Sequence, residues 1–171
     1  MRRLAAALGL AALAGACMPV DGGAPGVGDP LPDLQVRTMD GQEIGLAEFR
    51  GEGVLLNLWA TWCPPCRAEM PWFQEVSERY APRGLRVVGI SVDNAGARDL
   101  LEGFLEEAGV RYDILLDPAM SSMDRLGVLG LPATYLVDPD GVIRHVRMGP
   151  VAEGDTVFLR QIESVLPGAT P

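Results

Sequence analysis

Apolar runs and stretches with helical spacing alternate along this chain, which predicts a protein of mixed α and β structure. Val54–Trp59 is almost continuously apolar, as is typical of a strand buried on both faces, and Leu85–Val92 is predicted to form the next strand. Between these two strands, the apolar residues of Arg67–Tyr80 recur at helical spacing. The same spacing predicts a helix over 100–108 that ends at Gly109.

The following part of the chain predicts shorter elements. Two strands are expected at Asp113–Leu116 and Thr134–Val137, with a short helix over 120–126 between them. The sequence Asp-Pro-Asp-Gly at 138–141 is typical of a turn, because proline and glycine supply the backbone angles that a turn requires. The strand that enters this turn is therefore predicted to continue into a hairpin.

The two ends of the domain carry clear local signals. Residues 34–46 alternate in polarity around Asp40-Gly41, which predicts a small antiparallel hairpin. At the other end, Asp155 can cap a last helix that stops at Pro167-Gly168 and faces inward with Phe158, Ile162 and Val165. Within the 67–80 helix, Pro71 removes a hydrogen bond, so we expect a kink there. Together the elements predict a mixed α/β sheet that is covered on both faces.

The first sixteen residues have the features of a signal peptide. Arg2 and Arg3 precede the apolar stretch 4–13, which is too short to span a bilayer, and Ala14-Gly15-Ala16 is typical of a cleavage site. The chain is therefore predicted to be exported. Residues 17–29 contain four glycines and two prolines without periodicity and are predicted to form a flexible tether. The domain is expected at 30–167, with a short tail at 168–171.

Cys17 follows directly after the predicted cleavage site. Residues 13–17, Leu-Ala-Gly-Ala-Cys, resemble a bacterial lipobox, in which the cysteine is acylated and becomes the new N-terminus. The alternative is ordinary cleavage, which leaves Cys17 as a free thiol. With Cys17 set aside, the chain retains Cys63 and Cys66 as a pair.

Composition and charge exclude several functions. The chain is 48% hydrophobic and 22% charged, which is typical of a globular domain. Its net charge of −9 offers no broad positive surface, so no nucleic acid partner is expected. All 14 basic residues are arginines, and chemistry that requires a lysine amine is therefore excluded.

Cys63 and Cys66 lie at a predicted strand-to-helix junction with the sequence Trp-Cys-Pro-Pro-Cys. Cysteines three apart on one helical turn can form a reversible disulfide. Cys63 would occupy the helix N-terminus, where free amides favour a thiolate, and Cys66 would act as the resolving thiol. Pro64 and Pro65 suit a first helical turn, which needs no amide donors, and they stiffen the loop.

Other uses of this cysteine pair fit less well. A structural zinc site needs four ligands, but the chain offers only Cys17 and the single histidine, His145, besides the pair. Covalent haem attachment needs a histidine directly after Cys66, where Arg67 stands. A purely structural disulfide that closes so short a loop would restrict the unfolded chain little. We therefore expect no metal and no cofactor.

At these residues the sequence resembles thioredoxin-like proteins, and among them the membrane-associated thiol:disulfide oxidoreductases of the TlpA/ResA/CcmG type. The matching segments are 57–71, which contains both cysteines, 87–92, and 130–141, which begins Gly-Leu-Pro-Ala-Thr. The resemblance covers roughly residues 28–167. It implies a thioredoxin-like fold with a central mixed β-sheet flanked by helices, an N-terminal β-hairpin and a strand-helix insertion, for which residues 34–46 and 85–109 are the candidates.

The resemblance also implies roles for individual residues. It makes Cys63 the attacking cysteine, Cys66 the resolving cysteine and Pro132 a cis-proline opposite the disulfide. The backbone of Leu131 would then pair with an extended substrate segment. Three residues around the pair are expected to contribute substrate contacts, namely Trp62, Pro64 and Pro65. Trp59 is expected in the core and His145 on the surface.

Glu69 is a candidate proton carrier. Thioredoxin has a buried aspartate at the position of Asn57, and an amide cannot carry a proton. Glu69 lies one helical turn beyond Cys66 and matches the active-site glutamate of the ResA-like subgroup. We therefore expect Glu69 to exchange a proton with Cys66, although a solvated surface carboxylate is the alternative that spacing leaves open.

The implied function is an exported thiol:disulfide oxidoreductase that reduces protein disulfides, including those of apocytochrome c. A membrane-embedded thiol electron donor would reduce it again, in the periplasm or at the outer face of the cytoplasmic membrane. The opposite redox direction, as in DsbA, is disfavoured because that group has a histidine inside the motif, whereas this loop has Pro64-Pro65. Two alternatives on the same fold are a peroxiredoxin-like peroxidase and a Sco-like copper-binding module.

Overall fold

A mixed seven-stranded sheet lies at the centre of the computed structural model, which describes residues 23–169. The predicted signal peptide and residues 17–22 of the predicted tether, Cys17 among them, lie outside the described residues, so cleavage and lipidation stay predictions. The strands of the described structure are β1 Gln35–Thr38, β2 Glu43–Gly45, β3 Gly53–Trp59, β4 Leu85–Ser91, β5 Asp113–Leu116, β6 Ala133–Val137 and β7 Ile143–Met148.

The strand order is β2-β1-β5-β4-β3-β6-β7. β3, β4 and β5 run parallel, whereas β1, β2, β6 and β7 join their neighbours antiparallel. In the β3–β4 pair Asn57 stands opposite Gly89, and in the β3–β6 pair it stands opposite Thr134. The N-terminal hairpin therefore extends one edge of the sheet and the C-terminal hairpin forms the other.

The described part of the chain has four α-helices: α1 Pro64–Tyr80, α2 Arg98–Ala108, α3 Ser121–Leu126 and α4 Thr156–Ser164. The first three connect strands, and α4 follows the last strand. On one face of the sheet, Leu55 and Trp59 of β3 belong to a buried cluster with residues of α1, α2 and α4. On the other face, Leu56 and Leu58 belong to a cluster with α3 and the N-terminal hairpin. The prediction of a sheet covered on both faces is confirmed. Successive side chains of β3 point to opposite faces and enter a buried cluster on each, which explains why the strand is almost continuously apolar.

The helix ends follow local chemistry. α1 begins at Pro64, three residues before the predicted start, because prolines fit a first helical turn, and it continues through Pro71. α2 ends at Gly109, whose φ of 65° is left-handed, as expected for glycine at this position. The Asp155 carboxylate accepts hydrogen bonds from Val157 N at 2.9 Å and Phe158 N at 3.0 Å and so caps α4.

Residues before position 30 already contact the domain, since Ala24 packs against Gly127. Gly28 N donates to Ile143 O at 2.8 Å, and Ile143 N donates to Asp29 O at 2.9 Å. The last two residues of the predicted tether are thus paired with the C-terminal hairpin. Between residues 23 and 169, no helix combines the length and the apolar character needed to cross a bilayer.

A pair of glycines tests the packing of the sheet against the last helix. A Cβ on Gly53 would overlap the carbonyl oxygen of Val165, whereas a Cβ on Gly103, inside α2, would meet no atom within 4 Å. We expect Gly53→Ala to lower the free energy of unfolding by about 1–3 kcal/mol, since two backbone segments must move apart. Gly103→Ala should raise it by about 0.5–1 kcal/mol because alanine favours helix. Urea denaturation of both variants measures this, and equal effects would contradict the packing described.

Candidate active site

Cys63 and Cys66 form a disulfide where β3 leads into α1. Their Cα atoms are 5.3 Å apart, within the usual range for a disulfide. Cys63 is 5% exposed and Cys66 is fully buried. An incoming thiolate or disulfide therefore reaches Cys63 first, which agrees with its predicted role as the attacking cysteine.

The sulfur of Cys63 caps the first turn of α1. Cys63 is the N-cap residue, and its Sγ accepts a hydrogen bond from Cys66 N at 3.3 Å. Because Pro64 and Pro65 have no N–H, the amide of Cys66 is the first one in the helix that can donate to this sulfur. A thiolate at this position gains both the hydrogen bond and the positive end of the helix dipole.

A buried carboxylate holds the loop that precedes Cys63. Asp93 Oδ2 accepts from Thr61 N at 2.9 Å, and Asp93 Oδ1 accepts from Thr61 Oγ1 at 2.7 Å. Ser91 Oγ also donates to Asp93, at 2.8 Å. These bonds fasten the loop to the end of β4. Asp93 was not predicted from the sequence, since an aspartate after a strand gives no sign of a partner 32 residues away.

The Leu131–Pro132 peptide bond is cis, as the resemblance implied. Pro132 O accepts from Gly149 N at 2.9 Å, which ties the proline loop to the end of β7. Ala133 then begins β6, which runs antiparallel to β3, so β6 starts beside the C-terminal end of β3, where Cys63 follows. The structure thus brings the proline loop to the same end of the sheet as the disulfide.

Glu69 is buried, which excludes the alternative of a solvated surface carboxylate. Its Oε1 accepts from Asn57 Nδ2 at 2.9 Å, and its Oε2 accepts from Val151 N at 2.8 Å. Burial raises the pKa of Glu69 to about 7, against the opposing effect of these two hydrogen bonds and of the charge on Arg147. A carboxyl with this pKa is ready to give or take a proton near neutral pH.

Exposed apolar side chains lie near the disulfide and the proline loop. Trp62 is 62% exposed, and Leu129, three residues before Pro132, is 99% exposed. Met148, which stands opposite Ala133 in the β6–β7 pair, is 54% exposed. Trp62 was expected here from its place beside Cys63, whereas Leu129 and Met148 were not. For Leu129, its position directly before the Gly-Leu-Pro motif was the available signal. Trp59 is buried as predicted.

His145, which was expected on the surface, is partly buried on β7, and β6 separates this strand from β3. Its Nε2 is 3.1 Å from Ser164 Oγ, and burial lowers its pKa. Within residues 23–169 no three His, Cys, Asp or Glu side chains are grouped as metal ligands.

Comparison with known proteins places this site in a family. Residues 27–146 match the AhpC/TSA family model. The chain belongs to the AhpC/TSA family. It is 32% identical to the thiol-disulfide oxidoreductase ResA of Geobacillus thermodenitrificans over 141 residues, which cover 82% of this chain and 79% of that protein. ResA of Bacillus subtilis is 29% identical over 126 residues, or 74% of this chain and 69% of the relative.

Solved structures agree with this assignment. A thiol:disulfide interchange protein of the thioredoxin family from Chlorobium tepidum superposes with a TM-score of 0.69 at 27% identity, covering 83% of this chain and 99% of the other. A secreted thiol-disulfide isomerase from Corynebacterium glutamicum gives a TM-score of 0.68 at 28% identity, with 78% and 85% covered. The thioredoxin-like fold is confirmed, and this member of the AhpC/TSA family is a thiol-disulfide oxidoreductase.

The raised pKa of Glu69 predicts a pH dependence of stability. An unfolded glutamate loses its proton near pH 4.5, whereas folded Glu69 keeps it up to about pH 7. Folding therefore binds a proton in this window, and stability falls as pH rises through it. Relative to Glu69→Gln, the free energy of unfolding of the wild type should fall by about 1.4 kcal/mol per pH unit inside this window, and by on the order of 3 kcal/mol across all of it. Urea denaturation of the oxidised proteins at several pH values measures this, and parallel profiles would show that Glu69 does not titrate as described.

Proposed function

We propose that this protein reduces disulfides of exported proteins through the Cys63–Cys66 dithiol. The observation that carries the proposal is the position of the Cys63 sulfur at the N-terminus of α1, where it accepts the amide hydrogen of Cys66. In the reduced protein, the Cys66 amide and the positive end of the α1 dipole would stabilise the Cys63 thiolate, which is the form that attacks a disulfide. Cys66 is fully buried and would therefore react only in the second step, when it attacks the mixed disulfide at Cys63.

The reaction consists of two exchanges. The Cys63 thiolate attacks one sulfur of the substrate disulfide, forms a mixed disulfide with it, and releases the other substrate sulfur as a thiolate that takes up a proton. Cys66, once deprotonated, attacks Cys63 Sγ, and the second substrate sulfur leaves as a thiol. Two electrons pass to the substrate, and the enzyme is left with the Cys63–Cys66 disulfide seen in the structure.

Glu69 is proposed to accept the proton of Cys66 in the second exchange. It lies one helical turn beyond Cys66 on the same helix, and both side chains are buried. Bulk water does not reach this position freely, so a local base is needed. With a pKa of about 7, Glu69 can take the proton and later release it.

The substrate is proposed to bind as an extended segment beside the proline loop. The backbone of Leu131 would pair with it, and Trp62, Pro64 and Pro65 would flank the reacting disulfide. Leu129 and Met148 extend this surface with exposed apolar atoms. Since backbone pairing and apolar contact depend weakly on side-chain identity, such a surface suits several substrates, with cysteines of apocytochrome c as the class that the resemblance implies.

Regeneration needs an electron donor, for which a membrane-embedded thiol protein is proposed. Export by the predicted signal peptide would put the enzyme in the periplasm or at the outer face of the cytoplasmic membrane, and acylation of Cys17 would hold it there. The alternatives receive less support. In a peroxiredoxin, a threonine and a proline precede the peroxidatic cysteine, but this chain has Ala60 and Leu56 at those positions, both buried. A Sco-like copper site needs a histidine near the cysteines, but His145 lies two strands away from the strand that leads to Cys63.

The cysteine roles are tested by trapping. Cys66→Ala should accumulate mixed disulfides between Cys63 and substrate proteins in cells, since the resolving step is blocked, whereas Cys63→Ala should trap none. Mass spectrometry of the trapped complexes identifies the partners.

The midpoint potential of the wild type should lie near −270 mV, as in thioredoxin. A value near −120 mV would instead assign the protein as an oxidant.

The substrate surface is tested at its most exposed residue. For a substrate identified by trapping, Leu129→Ser should lower kcat/KM about tenfold, because the variant no longer buries a leucine when the substrate binds. The midpoint potential should stay unchanged. Val27→Ser is the matched control, since Val27 is 66% exposed and is followed by Gly28, which bonds to Ile143 at the start of β7. Equal effects of the two variants on kcat/KM would remove Leu129 from the surface.

A further inference from the structure

Three buried polar atoms on one face of the sheet have no hydrogen-bond partner among the described residues. They are Asn57 Oδ1, Trp59 Nε1 and Tyr112 Oη. Asn57 and Trp59 are fully buried, and Tyr112 is 7% exposed. Polar atoms buried in a protein are almost always paired with protein or with ordered water, so three exceptions in one region call for a physical explanation.

Two of these side chains, Trp59 and Tyr112, meet over Gly89, and Asn57 lies on the neighbouring strand. Gly89 stands opposite Asn57 in the β3–β4 pair. A Cβ on Gly89 would lie 3.1 Å from Trp59 Nε1 and 3.2 Å from Tyr112 Cε2, the ring carbon next to the one that carries the hydroxyl. The indole N–H and the edge of the tyrosine ring therefore approach the same point, beside the strand position of Asn57.

Asn57 has one group left for a ligand. Its Nδ2 donates to Glu69 Oε1 at 2.9 Å and to Thr134 Oγ1 at 3.0 Å, which uses both of its hydrogens. Its Oδ1 can accept but has no donor. Tyr112 lies within the electrostatic reach of Glu69, because burial and then the charge of that carboxylate raise the pKa of Tyr112. The three atoms and Glu69 thus share one region of the core.

The chemistry of the three atoms defines what they can bind. The indole N–H only donates, Asn57 Oδ1 only accepts, and the tyrosine hydroxyl does either. A cation is excluded by the N–H, and an anion would face Asn57 Oδ1 and the Glu69 carboxylate. Space is small, since even a Cβ on Gly89 would be 3.0–3.2 Å from three atoms. A small neutral molecule that both donates and accepts meets these conditions.

We propose that Trp59 Nε1, Tyr112 Oη and Asn57 Oδ1 bind one buried water molecule beside Gly89. The water accepts hydrogen bonds from the indole N–H and the tyrosine hydroxyl and donates one to Asn57 Oδ1. This satisfies all three atoms with three hydrogen bonds, the usual number for a buried water.

The water has a consequence for catalysis that rests on the proposed role of Glu69. By donating to Asn57 Oδ1, it fixes the amide in the orientation that presents Nδ2 to Glu69. Trp59 and Tyr112 then act as positioning residues for Glu69, although neither takes part in the two exchange steps. Loss of the water should weaken the Asn57–Glu69 hydrogen bond and raise the pKa of Glu69 further.

The sign of a stability change tests the site. If the Tyr112 hydroxyl is buried without a partner, Tyr112→Phe removes an unfavourable group and raises the urea midpoint of the oxidised, full-length exported protein. If the hydroxyl binds water, the variant loses that hydrogen bond and its midpoint falls. Tyr80→Phe is the matched control, because the Tyr80 hydroxyl makes one long hydrogen bond, 3.4 Å to Glu163. We expect a larger fall for Tyr112→Phe than for Tyr80→Phe.

A crystal structure of the wild type at high resolution tests the site directly. We expect a solvent peak within about 2.7–3.2 Å of Trp59 Nε1 and at least one of the other two atoms. The absence of such a peak, or a raised midpoint for Tyr112→Phe, overturns the water site. These results do not depend on trapping by Cys66→Ala, so the site and the proposed function can fail separately.

The positioning role has its own measurement. In reduced Tyr112→Phe the pH dependence of Cys66 alkylation should shift to higher pH, as expected for a Glu69 with a raised pKa. Tyr80→Phe should leave this profile unchanged. An unshifted profile in Tyr112→Phe overturns the positioning role, since a variant with a merely structural defect would lose stability without moving the titration.

Discussion

The hydrogen bond from Cys66 N to Cys63 Sγ is the contact on which the chemistry of this protein depends. It requires a strand that ends at a fixed point, a helix that starts directly after it, and a first turn whose other amides are absent because the residues are prolines. The same contact separates the two cysteines: the sulfur at the helix end is the one to be ionised and attacked, and the sulfur one turn deeper is protected.

The position of that sulfur is in turn held by the sheet. β3 lies between β4 and β6 and is buried on both faces, so the point at which it ends is set by pairing on both edges. Asp93 fastens the loop after β3 to the end of β4, and Gly149 fastens the cis-proline loop to the end of β7. The disulfide and the proline loop can therefore keep their relative positions while a substrate binds, which limits the entropy lost on binding.

Glu69 joins the parts of the site that come from distant segments. It lies on α1, accepts from Asn57 on β3, and accepts from Val151 in the loop before α4. A buried carboxylate costs stability, and its raised pKa is the measure of that cost. This cost is consistent with the proposed transfer of a proton between Glu69 and the buried Cys66.

Local sequence determined the elements and the place of the cysteine pair at the start of α1, because helix caps, turn residues and strand patterns act over a few residues. β5 was predicted at its observed bounds, and α2 and α4 ended or began where glycine and aspartate indicated. Only tertiary structure decided that Glu69 is buried rather than solvated, that Asp93 meets Thr61, and that Met148 is exposed opposite Ala133, next to the cis-proline. Burial and partnership depend on contacts between residues far apart in the chain, and no spacing along the sequence encodes them.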